Sequence, residues 1–298
     1  MPLKFINNTD DVRSLFKSDI SPLRGGRNSV AFQIKNFVFR FPKNETILKE
    51  QKQEIKILTY LRKKVSDKTR KKIPDITYHT KNEYPFTRHP FIVGKTCNQG
   101  GEQSIFYDDL SSKNQLKLAT ELANFLTDLH KIPCPKSIPS AKNEWIAPIR
   151  HDFCFDKAQK HLLKISQIDL ANFKTSFSIS DIVFIHNDLS GSNLLLSPSS
   201  QSVLNGIIDF AAAGLGPRVC DFIPLYKISR KLARETISAY NNLCDKEISL
   251  SETDYLVLCY LGYHLEKSPS KYLTGILKTF ITDLLQCHAP FAGGGHGF

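Results

Sequence analysis

The sequence predicts an α+β fold in two lobes: a small N-terminal lobe built on an antiparallel β-sheet with one helix, and a larger, mainly helical C-terminal lobe. Three observations predict it. Strand-like runs rich in β-branched and aromatic residues gather before residue 94, and helical periodicity dominates after residue 102. One stretch of short strands, 182–209, interrupts the helices and sets polar residues between apolar ones. The boundaries follow from that division: a first lobe over 1–94, a hinge or linker over 95–101, a second lobe over 102–290, and a Gly-rich tail over 291–298 that is expected to be flexible.

Residues 1–20 read as a short amphipathic helix with Val12, Leu15 and Phe16 on one side. A glycine turn follows at Leu23–Ser29. Ser29–Ile34 and Asn36–Phe41 read as two strands joined by a Lys35-Asn36 turn, and Pro42 ends the second. Residues 45–64 carry Ile47, Leu48, Ile55, Leu58 and Leu61 at helical spacing. The basic run from Arg62 to Lys72 reads as a surface loop. Pro74–His79 and Pro90–Val93 read as strands, and Gly94–Gly101 as a loop. Residues 114–130 are strongly periodic, with Leu116, Leu118, Leu122, Leu126 and Leu129 repeating. Further helices are expected over 155–174, over 221–244, and over 253–287 as a pair broken near Pro269.

The bulk numbers restrict the class. The chain has 298 residues, 41% hydrophobic and 23% charged, which is ordinary globular composition. Seven cysteines, an odd number with no CxxC pair, argue against a disulfide framework and for a reducing compartment. Met1–Arg13 has no apolar core of signal-peptide length, and no run approaches the ~20 apolar residues of a membrane span. A soluble cytoplasmic protein is expected, with no membrane partner. The net charge of +11 is partly concentrated in Arg62–Lys72. That run lacks interleaved aromatics and lies between a helix and a strand, so it reads as a solvated loop rather than a nucleic-acid surface.

The chemistry lies in 182–221. An apolar run leads into His186-Asn187-Asp188, a polar loop runs to Asn193, and Leu194–Leu196 leave it as a strand. Pro198–Ser202 turn the chain, and Val203–Ile208 return it, so the hairpin brings Asp188, Asn193 and Asp209 together. Phosphoryl transfer needs such a set: a carboxylate to orient the attacking hydroxyl and accept its proton, and oxygen ligands to hold Mg²⁺ against a triphosphate. The pattern His-x-Asp-x-x-x-x-Asn, a hairpin and then Ile-Asp-Phe matches kinase catalytic and metal-binding loops. The bland alternative, with His186 and Asp188 as turn residues and Asp209 capping a strand end, is weakened by three polar residues at these spacings inside apolar strands.

The sequence resembles the aminoglycoside phosphotransferases, a family with a protein-kinase-like fold, and within them the gentamicin 2″-phosphotransferases. Four pieces carry the resemblance: Phe37–Lys43, Glu50–Leu58, Ile185–Ser190, and Gly206–Phe210 through Cys220-Asp221-Phe222. The resemblance implies a small-molecule kinase that uses ATP or GTP as phosphate donor and Mg²⁺ as cofactor. Its family-default acceptor is an aminoglycoside hydroxyl. It implies Asp188 as catalytic base, Asn193 and Asp209 as metal ligands, His186 as a brace for the loop and Asp221 as a structural acid beneath it. Gly25, Gly26, Asn28 and Ser29 would cover the phosphates. Phe91 to Lys95, with Val93 between them, would hold the nucleotide base.

The chain departs from the family in places. Arg40 stands where the family has a phosphate-binding lysine, with Lys43 as the competing position, and Glu54 would be its helix partner. The tract Ala211-Ala212-Ala213 replaces a more polar stretch. After Asp221, helical spacing puts Lys227, Arg230, Lys231 and Arg234 on one stripe, which at an acceptor site would repel a polycation and suit a neutral or anionic metabolite. On a solvent face the same stripe would say nothing about the acceptor. A pseudokinase or binding module is the non-enzymatic alternative; retention of Asp188, Asn193 and Asp209 argues against it. No Ala-Pro-Glu segment follows Asp209, which argues against a protein substrate.

Overall fold

In the computed structural model, the described residues are 3–6, 9–16, 19–23, 28–97, 104–133, 135, 138–141, 156, 160, 181–197 and 202–288. The expected helix over 155–174 and the tail therefore lie outside the described residues, save Asp156 and Lys160, which are helical. The chain forms two compact units. One comprises Met1–Lys142 with Ile179–Glu247, the other Asn143–Ser178 with Ile248–Phe298.

The first unit opens with helix α1 (Thr9–Leu15) and an antiparallel sheet of five strands among the described residues. The strands are β1 (Ser21–Pro22), β2 (Ser29–Ile34), β3 (Phe37–Pro42), β4 (Thr77–Lys81) and β5 (Tyr84–Pro90), in the order β1-β2-β3-β5-β4. Alternation decides its inner face: Phe32, Phe39, Phe41 and Phe86 are buried together with Ile6, Val12 and Leu15. Phe16 sets its ring edge-on to Phe39 at 5.1 Å and to Phe86 at 5.8 Å, fixing α1 against the sheet.

Helix α2 (Glu45–Arg62) crosses beside β3, and the Asn44 side chain caps it by accepting from the Ile47 N–H at 3.0 Å. The expected basic loop is only partly a loop: Asp67–Arg70 form a helical turn, α3, and Lys72 is buried. The expected strand over Pro90–Val93 is instead β5, which ends at Pro90. Its prolines occupy the second and last positions, where they do not interrupt the ladder with β3 over Phe39 and Arg40.

A second sheet carries the loop segment. It contains β6 (Lys95–Cys97), β7 (Ser104–Ile105), β9 (Leu194–Leu196) and β10 (Leu204–Ile207), ordered β10-β9-β6-β7. Between them, β8 (Ile182–Ile185) pairs with β11 (Gly214–Pro217). Helix α4 (Ser112–His130) buries Leu118, Leu122, Phe125, Leu126 and Leu129, while Leu116, read as part of the same stripe, is exposed. Helices α5 (Ile223–Tyr226) and α6 (Arg230–Asn241) follow; α6 packs along α4. In the second unit, α7 (Leu250–Lys267) and α8 (Lys271–His288) form the expected pair around Pro269. No helix among the described residues is long and apolar enough to cross a membrane. An antiparallel sheet followed by a helical C-terminal part is the protein-kinase-like α+β arrangement.

Candidate active site

Strand β8 delivers the chain to Ile185, and the next residues turn over a buried carboxylate. Asp221 is fully buried and accepts from the His186 N–H (3.0 Å), the Asn187 N–H (2.6 Å) and His130 Nε2 (3.1 Å). Three donors replace the water that burial removed. Asn187 takes φ 67°, a left-handed turn that asparagine tolerates well. The other ring nitrogen of His130, Nδ1, is hydrogen-bonded with the Tyr240 hydroxyl at 2.9 Å. Burial pushes the Tyr240 hydroxyl well above its ordinary range, so it keeps its proton.

His186 links the two halves of the hairpin. Its Nδ1 accepts from the Asp188 N–H at 3.2 Å, which puts the ring proton on Nε2, and Nε2 donates to the Ile208 carbonyl at 3.2 Å. The ring is buried, edge-on to Phe210 with centroids 4.4 Å apart.

Asn193 completes the constellation. Its amide nitrogen donates to the Asp188 carbonyl and to Asp188 Oδ2, both at 2.9 Å. Its backbone carbonyl accepts from the Ile208 N–H at 3.0 Å, one residue before Asp209. Asp209 itself is left-handed, at φ 66°, with a carboxylate 47% exposed. The two side chains thus offer hard oxygens: the Asn193 amide oxygen, which carries neither bond to Asp188, and the half-exposed Asp209 carboxylate. Such donors fit Mg²⁺, which takes one or two carboxylate or carbonyl ligands and keeps the rest of its shell for phosphate and water.

The sheet lobe adds a cation. Strand register sets Arg40 on β3 between Ala31 and Thr87, and Arg40 Nη1 donates to Glu54 Oε2 at 2.8 Å. Glu54 Oε1 accepts from the Phe210 N–H at 3.1 Å, and Arg40 Nη2 lies 4.0 Å from Asp209 Oδ1. Glu54 is 1% exposed, so it is no solvated helix charge. Burial is the largest influence on its carboxyl and pushes it up; Arg40 opposes this, and the Asp209 charge adds to it.

The other expected nucleotide residues are placed less directly. Gly25 and Gly26 lie outside the described residues. The Ser29 hydroxyl is buried and accepts from Gln51 Nε2 at 2.9 Å, and the Asn28 carbonyl accepts from the Lys43 N–H at 3.3 Å. Phe91 is anchored by its N–H to the Asn36 carbonyl at 2.8 Å. Val93 is 65% exposed, with its carbonyl bonded by the Asn205 amide. Lys95 is exposed and opens β6 opposite Leu196. A Cβ at Gly206 would come within 2.6 Å of Ile92 Cγ2, so glycine there lets the segment after β5 lie against the hairpin.

The four cations after Asp221 do not form one helical stripe. Lys227 caps the end of α5 and Ser229 caps the start of α6, so the helix breaks between Lys227 and Arg230. Lys231 donates to Gln115 Oε1 at 2.8 Å, at the first turn of α4. His130, at the other end of α4, touches Asp221, and fifteen residues of helix separate them by about 22 Å. The sequence reading missed His130, Glu121 and Lys72. The signal for the first two was a polar side chain set in the apolar stripe of 114–130; Lys72 left none.

The phosphotransferase enzyme family designated APH matches residues 19–243. Among solved structures, the GDP and kanamycin complex of an APH(2″) enzyme is 20% identical with TM-score 0.60, covering 92% of this chain and 97% of that one. The streptomycin–ATP–APH(2″)-IIa ternary complex is 20% identical with TM-score 0.57, covering 93% and 94%. A macrolide 2′-phosphotransferase from Brachybacterium faecium is 11% identical with TM-score 0.56, covering 91% and 95%.

Proposed function

Since this chain belongs to the APH phosphotransferase enzyme family, we propose that it moves the γ-phosphate of ATP or GTP onto a hydroxyl of a small molecule, an aminoglycoside of the gentamicin type. The observation that carries the reading is the bonding of Asp188, Asn193 and the Asp209 strand into one unit through Asn193 and His186.

In this reading the acceptor hydroxyl lies against the Asp188 carboxylate. Its oxygen attacks the γ-phosphorus, the bond to the β–γ bridging oxygen breaks, and the hydroxyl proton passes to Asp188. The products are a phosphate ester and a nucleoside diphosphate. Asn193 holds the carboxylate in one rotamer, so positioning rather than new charge is its contribution. Asn193 and Asp209 would hold Mg²⁺, which when bound offsets phosphate charge. Arg40, fixed by Glu54, directs a cation toward the same place; Asn28 and Ser29 would supply backbone over the phosphates, and Phe91, Val93 and Lys95 would flank the base.

The aminoglycoside acceptor rests on the likeness to aminoglycoside-bound APH(2″) structures, and Lys231, one of the four cations, already has a partner in Gln115 Oε1 at the first turn of α4. The likeness to a macrolide phosphotransferase supports including a macrolide among the acceptors tested. Either drug would place the chain in antibiotic resistance. A cytoplasmic site of action is the reading that an odd number of cysteines with no CxxC pair favours. The test is transfer from labelled ATP or GTP, with Mg²⁺, to a panel of gentamicin-type and other aminoglycosides and a macrolide. Acceptor-dependent transfer supports the reading; turnover with neither nucleotide refutes it.

A further inference from the structure

Strand β10 is the edge of its sheet, and it leads straight into Asp209. An edge strand presents unpaired N–H and C=O groups, and nothing in the sheet itself fixes its outer side. Here two residues distant in sequence, Lys72 and Glu121, cover that side. The Lys72 carbonyl accepts from the Ile207 N–H at 2.8 Å, and Lys72 Nζ donates to the Leu204 carbonyl. Lys72 Nζ also donates to the Ser202 hydroxyl at 2.7 Å.

Helix α4 supplies the opposite charge. Glu121 Oε2 accepts from the Leu204 N–H at 2.6 Å, the Ser202 hydroxyl donates to the Glu121 carboxylate at 3.0 Å, and Lys72 Nζ stands 4.0 Å from Oε2. Lys72 is 8% exposed and Glu121 9%. The buried ion pair thus grips Leu204 by both its N–H and its C=O. Helix α2 and its following turn are held at two further points, one on α4 and one just past its end. Tyr60 donates to the Pro133 carbonyl at 2.6 Å, and the Ser66 hydroxyl and N–H donate to Asp128 at 2.7 and 2.9 Å.

Downstream of Leu204 the backbone has little slack. The Ile207 N–H goes to Lys72, the Ile208 N–H to Asn193, the Ile208 carbonyl to His186 and the Phe210 N–H to Glu54. A buried ion pair is expensive to desolvate, and an apolar pair of similar size would often stabilise a fold as well; what a bonded pair adds is a fixed register. Burial lowers the Lys72 ammonium pKa, with Lys68 and Lys117 adding to it and Glu121 opposing it, so the pair is held against a cost.

We propose that Lys72, paired with Glu121, is a positioning residue: it sets the register of β10 and so places the Asp209 carboxylate for its ligand. The proposal rests on the phosphotransferase reading of Asp209. It is tested with Lys72→Met, Glu121→Gln and the double variant in the full chain, measuring the Mg²⁺ concentration for half-maximal transfer at saturating nucleotide and acceptor. Lys72→Met keeps the backbone bond to Ile207 and most of the side-chain volume. Its half-maximal Mg²⁺ concentration should rise roughly tenfold, with the acceptor KM within about twofold. Glu121→Gln should move it the same way by less, and the double variant should fall short of the product of the two, since no unpaired charge remains.

Hydrogen exchange at the Leu204, Ile207 and Ile208 amides is measured on the same proteins. It should quicken in Lys72→Met while amides of β2 and β3 keep their rates. A folded Lys72→Met protein with wild-type Mg²⁺ dependence overturns the proposal, as does unchanged exchange at those amides. If Lys72→Met does not fold, Glu121→Gln, which keeps an acceptor for Leu204, decides by the same two readouts. A wild-type protein that transfers to no acceptor refutes the phosphotransferase reading instead, and amide exchange then decides the register claim alone.

Discussion

Asn193 donates twice to one residue, to the Asp188 carbonyl and to Asp188 Oδ2, each at 2.9 Å. The first bond sets the loop and the second sets the carboxylate. Asn193→Ala removes both and frees the Asp188 rotamer. Transfer should fall on the order of 10²-fold in kcat, by lost positioning of the base. Steady-state kinetics check this; a loss of less than threefold would remove Asn193 from the account.

Glu54 is buried against Arg40 and the Phe210 N–H. Glu54→Ala leaves a mostly buried guanidinium without its partner, which costs about 3–5 kcal/mol. Replacing Arg40 and Glu54 together by Met and Leu should cost clearly less than Glu54→Ala alone. Chemical denaturation of the three proteins measures the difference.

The His89 ring is held down at about 4, against 6.5 when unperturbed, by burial first and by the Arg40 charge in addition. The folded protein therefore binds this proton less readily than the unfolded chain. The His89 contribution is complete above pH 6.5 and is lost as pH falls from there toward 4, by on the order of 3 kcal/mol in all. Urea midpoints of wild type and His89→Gln between pH 7 and pH 4 should diverge, with the variant losing less. Parallel curves would contradict the assignment.

A Cβ at Gly206 would stand 2.6 Å from Ile92 Cγ2. Gly206→Ala should destabilise by about 1–3 kcal/mol through overpacking, and adding Ile92→Ala should recover part of it. Thermal denaturation tests this, with a neutral Gly206→Ala as the contrary outcome.

Much of the site was legible because its residues lie in one segment. The spacing of Asp188, Asn193 and Asp209 around a hairpin is local information, and the helical periods of 45–64 and 114–130 report their buried faces directly. Tyr84–Pro90 was hidden by Pro85 and Pro90, which usually exclude a run from a sheet. In the sequence Lys72 looks like surface charge because its partners, Leu204 and Glu121, are remote from it. The break at Ser229 was a readable N-cap that the regular spacing of Lys227, Arg230, Lys231 and Arg234 concealed. Arg40 and Glu54 could be named as partners from the strand and helix they sit on, but only register chose Arg40 over Lys43 as the residue bonded to Glu54.

In the proposed reaction Asp188 takes the proton of an acceptor hydroxyl during transfer of a nucleotide γ-phosphate. The direct measurement is transfer of labelled γ-phosphate to acceptor by wild type and Asp188→Ala, with nucleotide binding followed by calorimetry on both. Wild type should show acceptor-dependent transfer, and Asp188→Ala should lose at least about 10²-fold of it while nucleotide affinity stays within a few-fold. Equal transfer by the two proteins would contradict that role for Asp188.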